Sequence, residues 1–183
     1  SLTTARALLQ KIAESGAHAV LSIEHPLATG DGRAPRLLAE HGISDVVQLV
    51  QVYWDTETPH PQGPSFDAVA TGLSFLLREG RHGPVIVHCR QGKARSVAMA
   101  LAYLVAANPD CSIADCIAHL KTIRPQAAPN ILVIRHADRA LNLHGRLEQA
   151  VLDDALFTAN RAEANASRAL YAEKNPTALT PRF

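Results

Sequence analysis

Aromatic side chains are scarce: they make up 4% of the 183 residues, with a single tryptophan. Alanine and leucine dominate the second half instead, which favours helix. Cysteine is also rare. Three residues, Cys89, Cys111 and Cys116, are an odd count with no plausible disulfide framework, so a reducing, cytoplasmic setting is expected. Net charge is nearly absent, at a formal +1, so no bulk field draws the chain to nucleic acid or to an anionic membrane. Affinity for anions must come from a local cluster. The longest apolar run, Val97 to Ala107, is too short to cross a bilayer and reads as a buried core helix. No charged segment followed by an apolar one opens the chain, so no secretory signal is expected.

What is present is a chain with 47% hydrophobic and 19% charged residues, enough for one domain with a sizeable core. Leu2, Ala5, Leu8, Leu9 and Ile12 form a helical stripe that ends at Gly16. Ala19 to Ile23 reads as a short buried strand, Pro26 to Pro35 as a loop, and Pro35 to His41 as a short helix closed by Gly42. Val46 to Trp54 is rich in β-branched residues and is the second strand candidate. Three prolines make Asp55 to Pro64 an irregular loop. Ser65 then caps a helix whose inward face is Phe66, Val69, Leu73, Leu76 and Leu77, stopped by Gly80. Pro84 to His88 is a continuous apolar run, as expected of a central strand buried on both faces.

From Ser96 onward nearly everything reads as helix. Asn108-Pro109 breaks the first, and Ser112 with Asp115 forms a capping box that opens the next. Pro125 and Pro129 bracket a loop, and Asn130 begins a helix expected to run to about His144. Arg146 to Lys174 is alanine-rich with one long helical register, either packed on the domain or extended toward a partner. Strands alternating with helices at this spacing predict an α/β fold: a central, mostly parallel sheet flanked by helices, with a helical C-terminal half. The chain reads as one domain over residues 1–183, with a core at about 17–147 and a helical extension at about 146–174.

The informative segment is His88-Cys89-Arg90-Gln91-Gly92-Lys93-Ala94-Arg95-Ser96. A strand ends at a cysteine, five residues make a tight loop, and an arginine and a serine open a helix. Backbone N–H groups of a loop curled at a helix N-terminus point inward and cradle an anion. The same donors favour a thiolate, which would make Cys89 nucleophilic at neutral pH. Gly92 permits the tight curl. Arg95 supplies a planar fork for two phosphate oxygens. Ser96 can hydrogen-bond the sulfur and improve it as a leaving group. The alternative is a structural thiol beside a solvated basic turn, which would need all three features to coincide.

The segment matches the pattern HC-x5-R-[ST], and the chain resembles the protein-tyrosine and dual-specificity phosphatase superfamily. That resemblance implies phosphomonoester hydrolysis through a phosphocysteine, with Cys89 as nucleophile and Arg90 to Arg95 binding phosphate. His88 would orient the loop, and no metal or other cofactor would be needed. It also calls for a general acid some thirty-odd residues before the cysteine. Asp55 lies 34 residues upstream, directly after Tyr53-Trp54; Glu57 is the second choice and Asp67 a poor third. Arg124-Pro125, Pro129-Asn130, Ala137-Asp138 and Leu147 resemble the downstream pattern of compact bacterial members. There the residue matching Asn130 supports the phosphate loop, although a plain helix cap explains it equally well.

The compact length favours a shallow site that admits phosphotyrosine, phosphoserine and phosphothreonine on proteins. Arg90 and Lys93 add charge at the mouth, in an order partly similar to phosphoinositide phosphatases. A phosphoinositide or soluble inositol phosphate is therefore the alternative substrate. Overall neutrality and the lack of a membrane-binding element count against a lipid. A rhodanese-type sulfurtransferase would not need His88, the Arg-Ser pair or Asp55. A non-catalytic phosphate-binding module would normally have lost Cys89, Arg95 or the acid. Cys111 and Cys116 read as inert small hydrophobes. The nine histidines are scattered without metal-ligand spacing.

Overall fold

The computed structural model describes residues 5–26 and 37–174. The loop expected at Pro26 to Pro35 therefore lies almost wholly outside the described residues, as does the start of the first helical stripe. Three parallel strands form the sheet: β1 (Ala19–Glu24), β2 (Val47–Val52) and β3 (Val85–His88), in the order β2-β1-β3. Among the described residues β1, not β3, holds the centre. All six of its residues are buried, whereas three of the four in β3 are only half-buried. The expectation of a doubly covered Pro84–His88 strand is thus corrected. Continuous apolar sequence reports burial of side chains and cannot tell which strand has two neighbours.

The pleat of β1 sends alternate side chains to opposite faces. Val20 joins a small cluster with Leu8, Ile12 and Leu38, where helix α1 (Ala5–Ser15) packs. Leu21 and Ile23 enter the main core with residues of α2 (Phe66–Glu79) and α3 (Arg95–Ala107). That core also takes in α4 (Ile113–Ile123), α5 (Ile131–Ala140), α6 (Arg146–Asp153) and the start of α7 (Ala155–Lys174). Met99 and Leu101 of the apolar α3 are fully buried, which explains its central place. Each such side chain contributes about 1.5–3 kcal/mol through burial.

Local signals set several boundaries as expected. The Ser65 hydroxyl accepts from Ala68 N and caps α2, and Ser112 with Asp115 forms the reciprocal box at α4. Gly80 stops α2 in a right-handed conformation; a Cβ there would run into the Tyr103 hydroxyl. Phe66 and Leu77 are only half-buried, and Phe75 faces inward instead.

Three helical expectations are corrected. The described part of Pro35 to His41 holds a single 3-10 turn, Ala39–His41, closed by left-handed Gly42. The helix after Asn130 ends at Ala140, because Asn142, His144 and Gly145 adopt positive φ. Buried Asp138 stabilises that turn by accepting from Gly145 N at 2.6 Å and Leu147 N at 2.7 Å. Arg146 to Lys174 is two helices, broken at Asp154, whose Oδ1 accepts from Phe157 N and opens α7.

Candidate active site

The C-terminal ends of all three strands converge on one place, where open α/β sheets bind ligands. β3 ends at His88, the chain curls through residues 89–94, and α3 begins at Arg95. Gly92 takes φ +64°, which a side chain rarely tolerates. A Cβ there would also stand 3.2 Å from Arg124 Nη2.

Cys89 is buried and its Sγ lies 3.2 Å from Ser96 Oγ on the first turn of α3. A cavity of about 250 Å³ touches Cys89, Gly92, Ser96 and Arg124. His88 is fixed from the sheet: its Nε2 and Ser22 Oγ are 2.7 Å apart, and Gln48 Nε2 donates to the same hydroxyl at 2.8 Å. The strand register supplies that contact, since Ser22 sits directly opposite His88.

Arg95 is 2% exposed, an arginine held in the interior. Its Nη1 donates to the carbonyls of Glu24 at 3.1 Å and Tyr53 at 2.6 Å, the residues that end β1 and follow β2. Its buried Nε finds no hydrogen-bond partner among the described residues. Burial pushes the neighbouring Tyr53 hydroxyl well above the usual phenol range; Arg95 opposes this, and Cys89 and Asp55 add to it. Arg90, Gln91 and Lys93 are exposed, and Ala94 is buried.

Asn130 joins the two loops. Its Oδ1 caps α5 by accepting from Val133 N. Its Nδ2 donates to Asp55 Oδ1 at 2.8 Å and to Thr56 O at 3.0 Å, while its own N–H donates to Ala94 O at 3.4 Å. The side chain thus caps its helix and reaches the Asp55 loop, while the contact with residue 94 is made by the backbone N–H. Glu57 points to the same helix start, with Oε1 3.4 Å from Ile131 N. Asp67 lies in the first turn of α2, away from these contacts.

Sequence reasoning named Arg124 only as half of an Arg-Pro pair, yet it braces the loop of residues 89–94. Its Nε donates to Gly92 O at 2.9 Å and its Nη2 to Gln91 O at 3.2 Å; Ala128 N donates to Lys93 O at 2.8 Å. Because peptide units are planar, holding three successive carbonyls outward turns the following N–H groups inward. His25 was also missed. Burial, then Arg95 and Arg90, lower its pKa, with Asp55 opposing, and its ring lies 5.3 Å from that of Trp54. Among the described residues no group of three or more His, Cys, Asp or Glu could hold a metal ion. No described helix is long and apolar enough to cross a membrane. Cys116 is buried, and burial raises its pKa; Cys111 is exposed.

A cysteine and an arginine at the two ends of a tight, braced loop between a parallel strand and a helix are the arrangement expected of a cysteine-based phosphatase. Residues 44–137 match the family model described as the dual specificity phosphatase catalytic domain, and the chain belongs to that family. It is 39% identical over 70 residues to dual specificity protein phosphatase 1 of Arabidopsis thaliana, covering 38% of this chain and 34% of that protein. Human dual specificity protein phosphatase 14 is 34% identical over 76 residues, covering 41% and 37%. The matches thus span about a third of the length of these relatives. Solved structures share the fold. Human DUSP28 has a TM-score of 0.56 at 18% identity, covering 77% of this chain and 86% of that one. PTPMT1 in complex with PI(5)P has a TM-score of 0.55 at 17% identity, covering 74% and 85%.

Proposed function

We propose that the chain hydrolyses phosphate monoesters through a phosphocysteine intermediate, acting on phosphotyrosine, phosphoserine and phosphothreonine in proteins. One observation carries this reading: Cys89 Sγ lies 3.2 Å from Ser96 Oγ at the base of a loop whose carbonyls are tied outward. Loop N–H groups and Arg95 would hold the phosphoryl oxygens. Anchoring Nη1 on two carbonyls leaves Nε as a donor for phosphate.

In the first step the Cys89 thiolate attacks phosphorus, and the P–O ester bond breaks. The electron pair goes to the leaving oxygen, which takes its proton from the Asp55 carboxyl. In the second step Asp55, now a carboxylate, takes a proton from water as that water attacks phosphorus. The P–S bond breaks, its electron pair returns to sulfur, and the Ser96 hydroxyl stabilises the departing thiolate. A free thiolate nucleophile requires a reducing compartment, which supports a cytoplasmic setting.

The exposed Arg90 and Lys93 favour a second substrate class, soluble inositol phosphates or phosphoinositides, whose extra phosphates they would meet. The PI(5)P complex of a structural neighbour supports keeping this class. Purified protein and its Cys89→Ser variant should be tested against phosphopeptides and inositol phosphates. Wild-type turnover of phosphopeptides, abolished in Cys89→Ser, is expected. Turnover that persists in Cys89→Ser contradicts the mechanism, and turnover of inositol phosphates alone selects the second class.

A further inference from the structure

We infer that α7 sets the working shape of the phosphate loop, with Asn160 as a positioning residue; the inference rests on the function proposed above. α7 lies beyond the stretch matched by the family model, so its role must be read from its contacts. The helix is anchored at its start. Phe157 is fully buried, Asp154 Oδ1 accepts from Phe157 N at 3.0 Å, and Asp154 Oδ2 accepts from Lys121 Nζ at 2.7 Å. Nearly one turn after Phe157, Asn160 Nδ2 donates to Pro125 O at 2.9 Å and to Ala127 O at 2.8 Å. Two carbonyl acceptors fix which end of the amide faces this turn, because only its nitrogen can donate.

That turn is the part of the chain that shapes the phosphate loop. Arg124, just before Pro125, holds the carbonyls of Gly92 and Gln91, and Ala128, just after Ala127, holds that of Lys93. The two carbonyls taken by Asn160 thus sit between the residues that hold three successive phosphate-loop carbonyls. Close packing transmits such a displacement rather than absorbing it. Losing the Asn160 amide releases the turn from α7, and the loop N–H groups lose their fixed aim at phosphate. A second contact, Asn165 Nδ2 to Glu57 Oε2 at 3.3 Å, reaches the loop of Asp55. It is long and exposed, so Asn160 is the residue that matters.

The test compares Asn160→Ala and Asn160→Asp with wild type in the full chain. Three readouts are needed: kcat and KM on an aryl phosphate, protection of Cys89 from iodoacetate by inorganic phosphate, and Tm. Asn160→Ala should lower kcat/KM roughly tenfold and weaken phosphate protection by a similar factor. Asn160→Asp should be at least as damaging, since a carboxylate cannot donate and repels the two carbonyls. Leu156→Ala, on the exposed side of the same helix, should change neither. If Asn160→Ala does not fold, Asn160→Gln keeps the donor on a longer stem and should show a few-fold loss. Wild-type kcat and phosphate protection in the folded variants, with only Tm lowered, would make Asn160 a brace and overturn the inference. The protection assay needs no turnover, so it tests Asn160 even if wild type proves inactive and the proposed function fails.

Discussion

Asn130 donates to the Asp55 carboxylate at 2.8 Å across 75 residues of sequence, and its Oδ1 caps α5 through Val133 N at 3.0 Å. One buried amide therefore serves a helix start and the proposed general acid at once. Substitutions should separate the two. Asn130→Ala should lose both, costing about 1 kcal/mol for the cap and slowing hydrolysis of a phosphotyrosine peptide. Asn130→Ser keeps a capping oxygen on a stem too short to reach Asp55. It should recover most of the Tm and little of the kcat. Recovery of both together would mean that Asp55 needs no help from Asn130.

The assignment of Asp55 is tested by leaving-group quality. Asp55→Asn should slow a phosphotyrosine peptide or phosphoserine by about 10²–10⁴. An activated aryl phosphate, whose leaving group needs little protonation, should be slowed far less. Wild-type rates in Asp55→Asn alongside a crippled Glu57→Gln would move the acid two residues along the loop.

His25 gives the protein an acid-side weakness. Burial first, then Arg95 and Arg90, lower its pKa below the usual 6.5. The unfolded chain then binds the proton more readily than the folded one, so stability rises with pH through this range. Its contribution is complete above the unfolded value and is lost as pH falls toward the folded one. His136, also lowered by burial and by Arg135 and Arg139, adds to the same trend. Urea midpoints measured at about pH 7.5 and 5.5 should fall in wild type and fall less in His25→Gln. Equal slopes in the two proteins would show that His25 does not titrate differently on folding.

The site was legible in sequence wherever its parts are contiguous. His88 to Ser96 carries strand end, loop, glycine and helix start within nine residues, and the structure sets Cys89 beside Ser96 as that spacing implies. Asp55 was reached through its place after a strand. Contacts made across the fold were less visible. The centrality of β1 depends on which strands pair, and the brace from Arg124 depends on a turn folding back over the phosphate loop. The break at Asp154 was hidden because the residues on both sides keep a helical register, so the aspartate that caps α7 through Phe157 N reads as one more polar position within a single helix.

The covalent intermediate is the most direct test of the proposed chemistry. Protein turning over a radiolabelled aryl phosphate should be quenched in acid, digested and mapped by mass spectrometry. The label should reside on the peptide containing Cys89, as a thiophosphate, and should be absent from Cys89→Ser. Turnover with label on another residue, or undiminished turnover in Cys89→Ser, would contradict the account.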